Sequence, residues 1–358
     1  MRHKCKCISP FWRETFLPRP EGNRMALNAD VARGRGKVWL RRCASGLAAL
    51  ALSTAIPVSA GETSDEAVLW PTRLRADMAR VAQVEWRLRD AASGLCPGVA
   101  ADIGVVFDDR RAYRKADWPV LASTLGLADR PVVAALVPGG PAERAGLVVG
   151  DEIEAVGGFS VDAIAERRKA GPLVAEALLE EIATTSPERL IEITVRRQGT
   201  NLAVTILPKR HCAARLVLEV DRSIDAHSDA RNVSISAGLV TLAQNDDELA
   251  MVAGHELAHI IHRDRRGGGI SKRRRMEDAA DSLGIGLIHC AGYNAAAGSV
   301  LLDRLRKRDW LGFLRAPTHR SFSKRVERLQ AEIPGLTCPA TPKPVVENQK
   351  GSPSAQSD

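Results

Sequence analysis

Beyond its first 60 residues the chain lacks several things that would each have pointed elsewhere. No stretch there reaches the roughly 18 apolar residues that a membrane-crossing helix needs, which argues against a multi-spanning architecture. There is no net charge, because residues 61–358 hold 40 Lys or Arg against 40 Asp or Glu. A nucleic-acid-binding domain would carry uncompensated Lys and Arg on its own face, so that partner is excluded. None of the cysteines forms a Cys-x-x-Cys pair, so a cysteine zinc site is not expected. No internal repeat marks a solenoid or propeller.

The first 60 residues are different. They contain 11 Lys or Arg and three Asp or Glu, so the whole excess of +8 lies there. Arg41-Arg42 precede an apolar stretch, Ala44 to Ile56, and Val58-Ser59-Ala60 ends it with the small residues a signal peptidase requires. This pattern predicts a secretory signal cleaved near Ala60 and a periplasmic or exported protein; an uncleaved N-terminal anchor is the alternative. Met25 offers a second start with a more ordinary basic leader than Met1. Outside this segment four cysteines remain, Cys96, Cys212, Cys290 and Cys338, an even number suited to two disulfides in an oxidising compartment. The Cys96–Cys212 pairing is attractive because it brackets a separate domain.

The residues that carry chemistry are His255-Glu256-Leu257-Ala258-His259 and Glu277-Asp278-Ala279-Ala280-Asp281. Asn245 with Glu248 reads as an N-cap and capping box, and Leu249, Val252, Ala253, Ile260 and Ile261 continue an apolar helix around the first motif. On that helix His255 and His259, four apart, present imidazoles to one metal while Glu256 stands one position round. Glu277 follows His259 by 18 residues, far enough for a turn and a second helix to return a carboxylate as third ligand. A fourth position stays open. Zinc lowers the pKa of water to roughly 7, and Glu256 can take its proton as it attacks a polarised carbonyl. His262 and Asp264 follow the motif closely; His262, three residues past His259, points to a shifted angle and is assigned a structural or solvent role.

Asn232 to His262, the ExxAD at Glu277–Asp281, and Thr318-His319-Arg320 with Arg325 together resemble the gluzincin metallopeptidases of the HtpX, BepA and CAAX prenyl protease family. The likeness covers about residues 213–335. It implies one zinc per chain held by His255, His259 and Glu277, with Glu256 as catalytic base and endopeptidase activity. Asp281, one helical turn after Glu277, is placed to accept a hydrogen bond from a ligand histidine. A late histidine and an arginine six residues on are family features kept by His319 and Arg325, which become candidate oxyanion stabilisers. Two positions depart from the family: Arg320 stands where proline is usual, and Asp225 where an asparagine precedes the active helix. Lys272 to Arg275, with Arg263, Arg265 and Arg266, form a basic turn between the two ligand helices and read as a solvated loop, steering of acidic peptide or lipid headgroups being the alternative.

Upstream, Pro131 to Val137 reads as a strand, and PGGPAERAGLVVGDEIEAVGG follows as a turn, short helix and second strand. This resembles a PDZ domain of the bacterial protease type, which implies an extended peptide bound by strand addition. Val161 to Lys169 is expected as a helix, and Leu190–Val195 with Leu202–Leu207 as a hairpin turning at Gln198-Gly199. The carboxylate loop is best placed at Ala101 to Asp108. Residues 72–95 set Leu74, Met78, Val81, Leu88, Ala92 and Leu95 at helical spacing, a stripe that packs on the protein, a partner helix or a membrane surface.

The expected fold is α+β: a leader over 1–60, an amphipathic lead-in over 61–98, a PDZ-like β-barrel or sandwich over 99–210, a mainly helical zincin domain with a small sheet over 211–338, and a disordered tail over 339–358. The expected function is an exported zinc endopeptidase acting on unfolded or envelope proteins, with the PDZ unit recruiting substrate or regulating access. The rivals are a zinc-containing chaperone or PDZ binding module with little turnover, and hydrolysis of a non-peptide amide such as a cell-wall crosslink. Peripheral membrane contact is compatible with this reading, and no oligomeric state follows from the sequence.

Overall fold

The computed structural model describes residues 62–265, 267–308 and 320–338. The expected signal segment, His319 and the tail lie outside the described residues. Helix α1, Glu62–Ala91, buries Leu74, Val81, Leu88 and, just past its end, Ala92, as the spacing predicts, and Val84 beside them. Leu95 breaks the expectation: the helix has ended by then, and this side chain is 47% exposed.

Two short strands follow, β1 (Val99–Asp102) and β2 (Val105–Asp108), then α2 (Trp118–Leu125), β3 (Val132–Leu136), α3 (Pro141–Arg144), β4 (Glu152–Val156) and β5 (Phe159–Ser160). Helices α4 (Val161–Arg167) and α5 (Val174–Ala183) precede the hairpin β6 (Ile191–Arg197) and β7 (Thr200–Ile206), and then β8 (Lys209–Cys212). Strands β2-β3-β4-β6-β7 are hydrogen-bonded in that order, all antiparallel, with β5 attached to β4. The described strands therefore form an open path with β2 and β7 at its ends, where a barrel or sandwich was expected. The hairpin turns at Gln198 and Gly199 with φ of 50° and 81°, the left-handed pair that a two-residue turn between twisted strands demands. Ser160 caps α4 by accepting from Ala163 N–H, and the helix stops at Arg167, two residues short of the expected Lys169, whose φ is 52°. Ile153, Ile164, Leu178, Ile193, Val195 and Ile206 fill this core.

Strand β1 leaves the path and pairs instead with β8, Val99 opposite Cys212 and Asp102 opposite Lys209. The Cys96–Cys212 disulfide forms beside that pair, so the chain enters and leaves the sheet segment at one covalently fixed point. A second disulfide joins Cys290 to Cys338.

The remainder comprises β9 (Arg215–Glu219), β10 (Ala226–Ser228), β11 (Asn232–Ser236), α6 (Ala237–Leu242), α7 (Asp246–His262), α8 (Ile270–Cys290), α9 (Ala295–Arg308) and α10 (Phe322–Glu332). The small sheet runs β10-β11-β9, with β11 parallel to β9 and β10 an antiparallel edge. Its Leu216, Val233 and Ile235 share one core with Val84 and Leu88 of α1, Leu249 and Leu257 of α7, and Ile285 and Ile288 of α8. Among the described residues no helix is long and apolar enough to cross a membrane.

Candidate metal centre

Helix α7 starts where the sequence says it should. Asn245 accepts from Glu248 N–H at 3.0 Å, and three acidic residues in the first turn meet the positive end of the helix dipole. Glu248 reaches back one residue further than a standard capping box, accepting from Gln244 N–H at 2.8 Å. Its carboxylate is buried and takes two hydrogen bonds from Arg304 of α9, at 2.7 and 2.8 Å.

Two glycines bring α7 and α8 together. A Cβ on Gly254 would stand 2.8 Å from Ile288 Cγ2, and one on Gly284 would stand 3.0 Å from the backbone nitrogen of His255. Backbone therefore meets backbone, and the carboxylates of α8 fall beside the imidazoles of α7.

His255 Nε2 and His259 Nε2 lie 3.3 Å apart, and Glu277 Oε2 lies 3.3 and 3.5 Å from them. Ligands at about 2.0–2.1 Å from a tetrahedral zinc are separated by about 3.3–3.4 Å, so these atoms stand at the spacing one ion would impose. The outer nitrogens point the same way. His255 Nδ1 is 2.8 Å from Asp281 Oδ1, and His259 Nδ1 is 2.8 Å from Asp264 Oδ2. A carboxylate at Nδ1 fixes the proton there and turns the Nε2 lone pair inward, which is the form that binds metal. Two inward lone pairs and a carboxylate oxygen this close repel one another unless a cation sits among them. The donor set fits zinc.

The electrostatics agree. Burial disfavours charge on His259, but hydrogen bonding to Glu277 and Asp264 outweighs it and lifts the pKa to about 9. His255 moves upward for the same reason: burial opposes charge, while Asp281 and Glu277 prevail. Burial likewise opposes ionisation of Asp281, yet His255 and Arg325 hold its carboxyl well below the usual range. The surroundings hold positive charge at this point.

Glu256 stands beside His255, His259 and Glu277, and its Oε2 accepts from Ser228 Oγ of β10 at 2.8 Å. Arg325, expected as an oxyanion donor, is engaged elsewhere. Its Nε and Nη2 donate to the two oxygens of Asp281 at 2.9 and 2.6 Å, and its side chain is only 12% exposed. It backs the carboxylate that backs His255. Arg320, in place of the family's proline, forks onto Asp278 of α8 at 2.7 and 2.8 Å and anchors the entry to α10. Asp225 lies just before β10 with its side chain largely in solvent, and His262 is exposed.

Sequence reasoning missed Asp264 and Ser228. Asp264 reaches back because Arg263 ends α7 at φ 54°, a left-handed cap that reverses the chain and lets Asp264 N–H bond to His259 O. Ser228 is 28 residues from Glu256, and only the placement of β10 against α7 brings them together. The acidic residue following so soon after the second histidine was the one available sign.

Compared with known proteins, residues 132–169 match the PDZ domain and residues 194–270 match peptidase family M48. The second match contains His255, Glu256 and His259 and ends before Glu277. No curated protein matches the chain. Among solved structures, an HtrA-type protease, AlgW with decapeptide, is 27% identical over 31% of this chain and 30% of its own, with a TM-score of 0.24. The serine endoprotease from Yersinia pestis is 21% identical over 31% of this chain and 29% of its own, with a TM-score of 0.21. The chain thus spans less than a third of the length of these structures.

Proposed function

From a chain that carries a PDZ domain and a peptidase family M48 segment, we propose an exported zinc endopeptidase with a zincin active site, acting on unfolded or envelope polypeptides. The observation that carries the proposal is the convergence of His255, His259 and Glu277 on one point beside Glu256. When bound there, zinc supplies a Lewis acid that polarises a carbonyl and acidifies water. Glu256 takes a proton from the attacking water and returns it to the departing amide nitrogen. Ser228 holds one oxygen of that carboxylate so that the other faces the substrate. Asp281 and Asp264 set the imidazoles, and Arg325 fixes Asp281. Strand β10 is an edge, suited to hold an extended substrate by strand addition, and His319 is proposed to donate to the developing oxyanion. Export is supported by the two disulfides, which persist in oxidising compartments.

The test is cleavage of casein by residues 61–358, wild type against Glu256→Gln at equal zinc content. Activity lost in the variant alone supports the proposal. If the zinc-loaded wild type leaves casein intact, peptidase turnover on unfolded protein is refuted and the binding-module alternative takes its place.

A further inference from the structure

Strand β2 ends the strand order of the large sheet, and α5 packs beside it. On such an edge PDZ domains add an extended peptide as a new strand and capture its terminal carboxylate on backbone amides. Here both ends of β2 are held by α1. At one end Arg75 donates to Asp108 Oδ2 at 2.7 Å, the side chains being 13% and 5% exposed. At the other end the ring of Trp86 lies on Gly104, where an added Cβ would stand 3.2 Å from it.

The loop entering β2 already holds a carboxylate. Gly104 N–H donates to Asp102 Oδ1 at 2.9 Å, and Arg89, 3% exposed, donates to Asp102 Oδ2 at 2.5 Å. A backbone amide and a buried guanidinium are the contacts that a peptide's terminal carboxylate would seek. Arg89 is itself fixed, giving its other hydrogen bonds to Glu85 at 3.0 Å and to Cys212 O at 2.8 Å. The space left between α1, residues 101–105 and α5 is a cavity of about 20 Å³, with room for about one water and none for a peptide side chain. Nor does α1 hang loosely over it. A neighbouring face of the helix, with Val81, Val84 and Leu88, is buried in the core shared with α7 and α8, and the Cys96–Cys212 disulfide ties the chain just beyond it to β8.

We propose that α1 is the resident occupant of this groove, with Asp102 standing where a ligand's carboxylate would, so that the intact chain does not capture free C-termini there. The PDZ unit then docks its own lead-in helix. The inference rests on the PDZ match and is independent of whether the metal centre is a peptidase.

Binding of a fluorescein-labelled, free-acid peptide pool ending in Val, Leu or Phe to the full chain tests it by anisotropy. Wild type should show no saturable binding, whereas Trp86→Ala and Asp102→Ala should each bind at least about tenfold more tightly. Wild-type binding as tight as that of the variants overturns the proposal, and so does failure of both folded variants to bind. Hydrogen exchange on the wild type alone gives a second test that needs no variant to fold: amides 103–106 should exchange as slowly as the buried core, and rapid exchange there overturns the closed groove. Neither readout involves turnover, so a negative result leaves the peptidase proposal standing.

Discussion

His259 is gripped from both sides, by Asp264 at Nδ1 and by Glu277 near Nε2, and the two acids act differently on metal binding. Glu277 would be lost as a ligand, whereas Asp264 sets ring orientation and basicity. Asp264→Ala is therefore expected to weaken zinc affinity by about 10–100-fold with the ligand set intact, measured by chelator competition. His262→Ala, two residues away and exposed, should leave affinity unchanged. Ser228→Ala acts on Glu256 and not on the carboxylates that hold His255 and His259. It should lower kcat roughly tenfold to a hundredfold with KM unchanged, as expected for loss of one hydrogen bond to a charged group. Ser228→Thr, which keeps the hydroxyl, should recover most of that loss.

At the scale of elements, the centre depends on how closely α7 and α8 approach. Gly284 and Gly286 lie two residues apart on α8, yet a Cβ on the first meets the backbone of His255, while one on the second meets nothing within 4 Å. Gly284→Val should cost about 1–3 kcal/mol of stability and also weaken zinc binding, because the ligands of one helix are pushed from those of the other. Gly286→Ala should stabilise by about 0.5–1 kcal/mol through helix propensity. Urea unfolding of the two variants makes the comparison. A Gly284→Val protein as stable as wild type, with unchanged zinc affinity, would show that the helix separation is not what places the ligands.

Across the whole molecule, α1 joins what would otherwise be separate parts, and its buried charges bear the cost of doing so. Glu85, Arg89, Arg215 and Asp102 form one cluster, with His211 3.4 Å from Asp102. Burial opposes ionisation of Asp102, but Arg89 and His211 more than compensate and hold its carboxyl well below the usual range. A carboxyl depressed in the folded state stabilises above its unfolded pKa of about 3.9, and the contribution is lost as pH falls through the acid range. Stability should therefore decline from about pH 5 downwards, and Asp102→Asn should be less stable at pH 7 with a flatter acid limb in urea titrations. Removing the Cys96–Cys212 bond, which closes a loop with a sequence separation of 116, should cost about 2–5 kcal/mol.

Much of this was legible in the chain itself. Local rules determined the cap of α7, the Gln198-Gly199 turn, and the apolar stripe of α1, because each depends on residues within a few positions of one another. The motif spacing determined that His255 and His259 share a face, since one helical turn suffices. What only the tertiary structure decided involves residues far apart in sequence: Arg325 behind Asp281, Ser228 on Glu256, Gly254 against Gly284, and Arg89 of a seemingly solvent-facing helix position clamped on Asp102. Periodicity separates apolar from charged residues, but it cannot tell whether a charged side chain will meet water or a partner brought in by another element. That depends on packing, and here it set both the outer support of the candidate metal centre and the proposed closure of the groove beside β2.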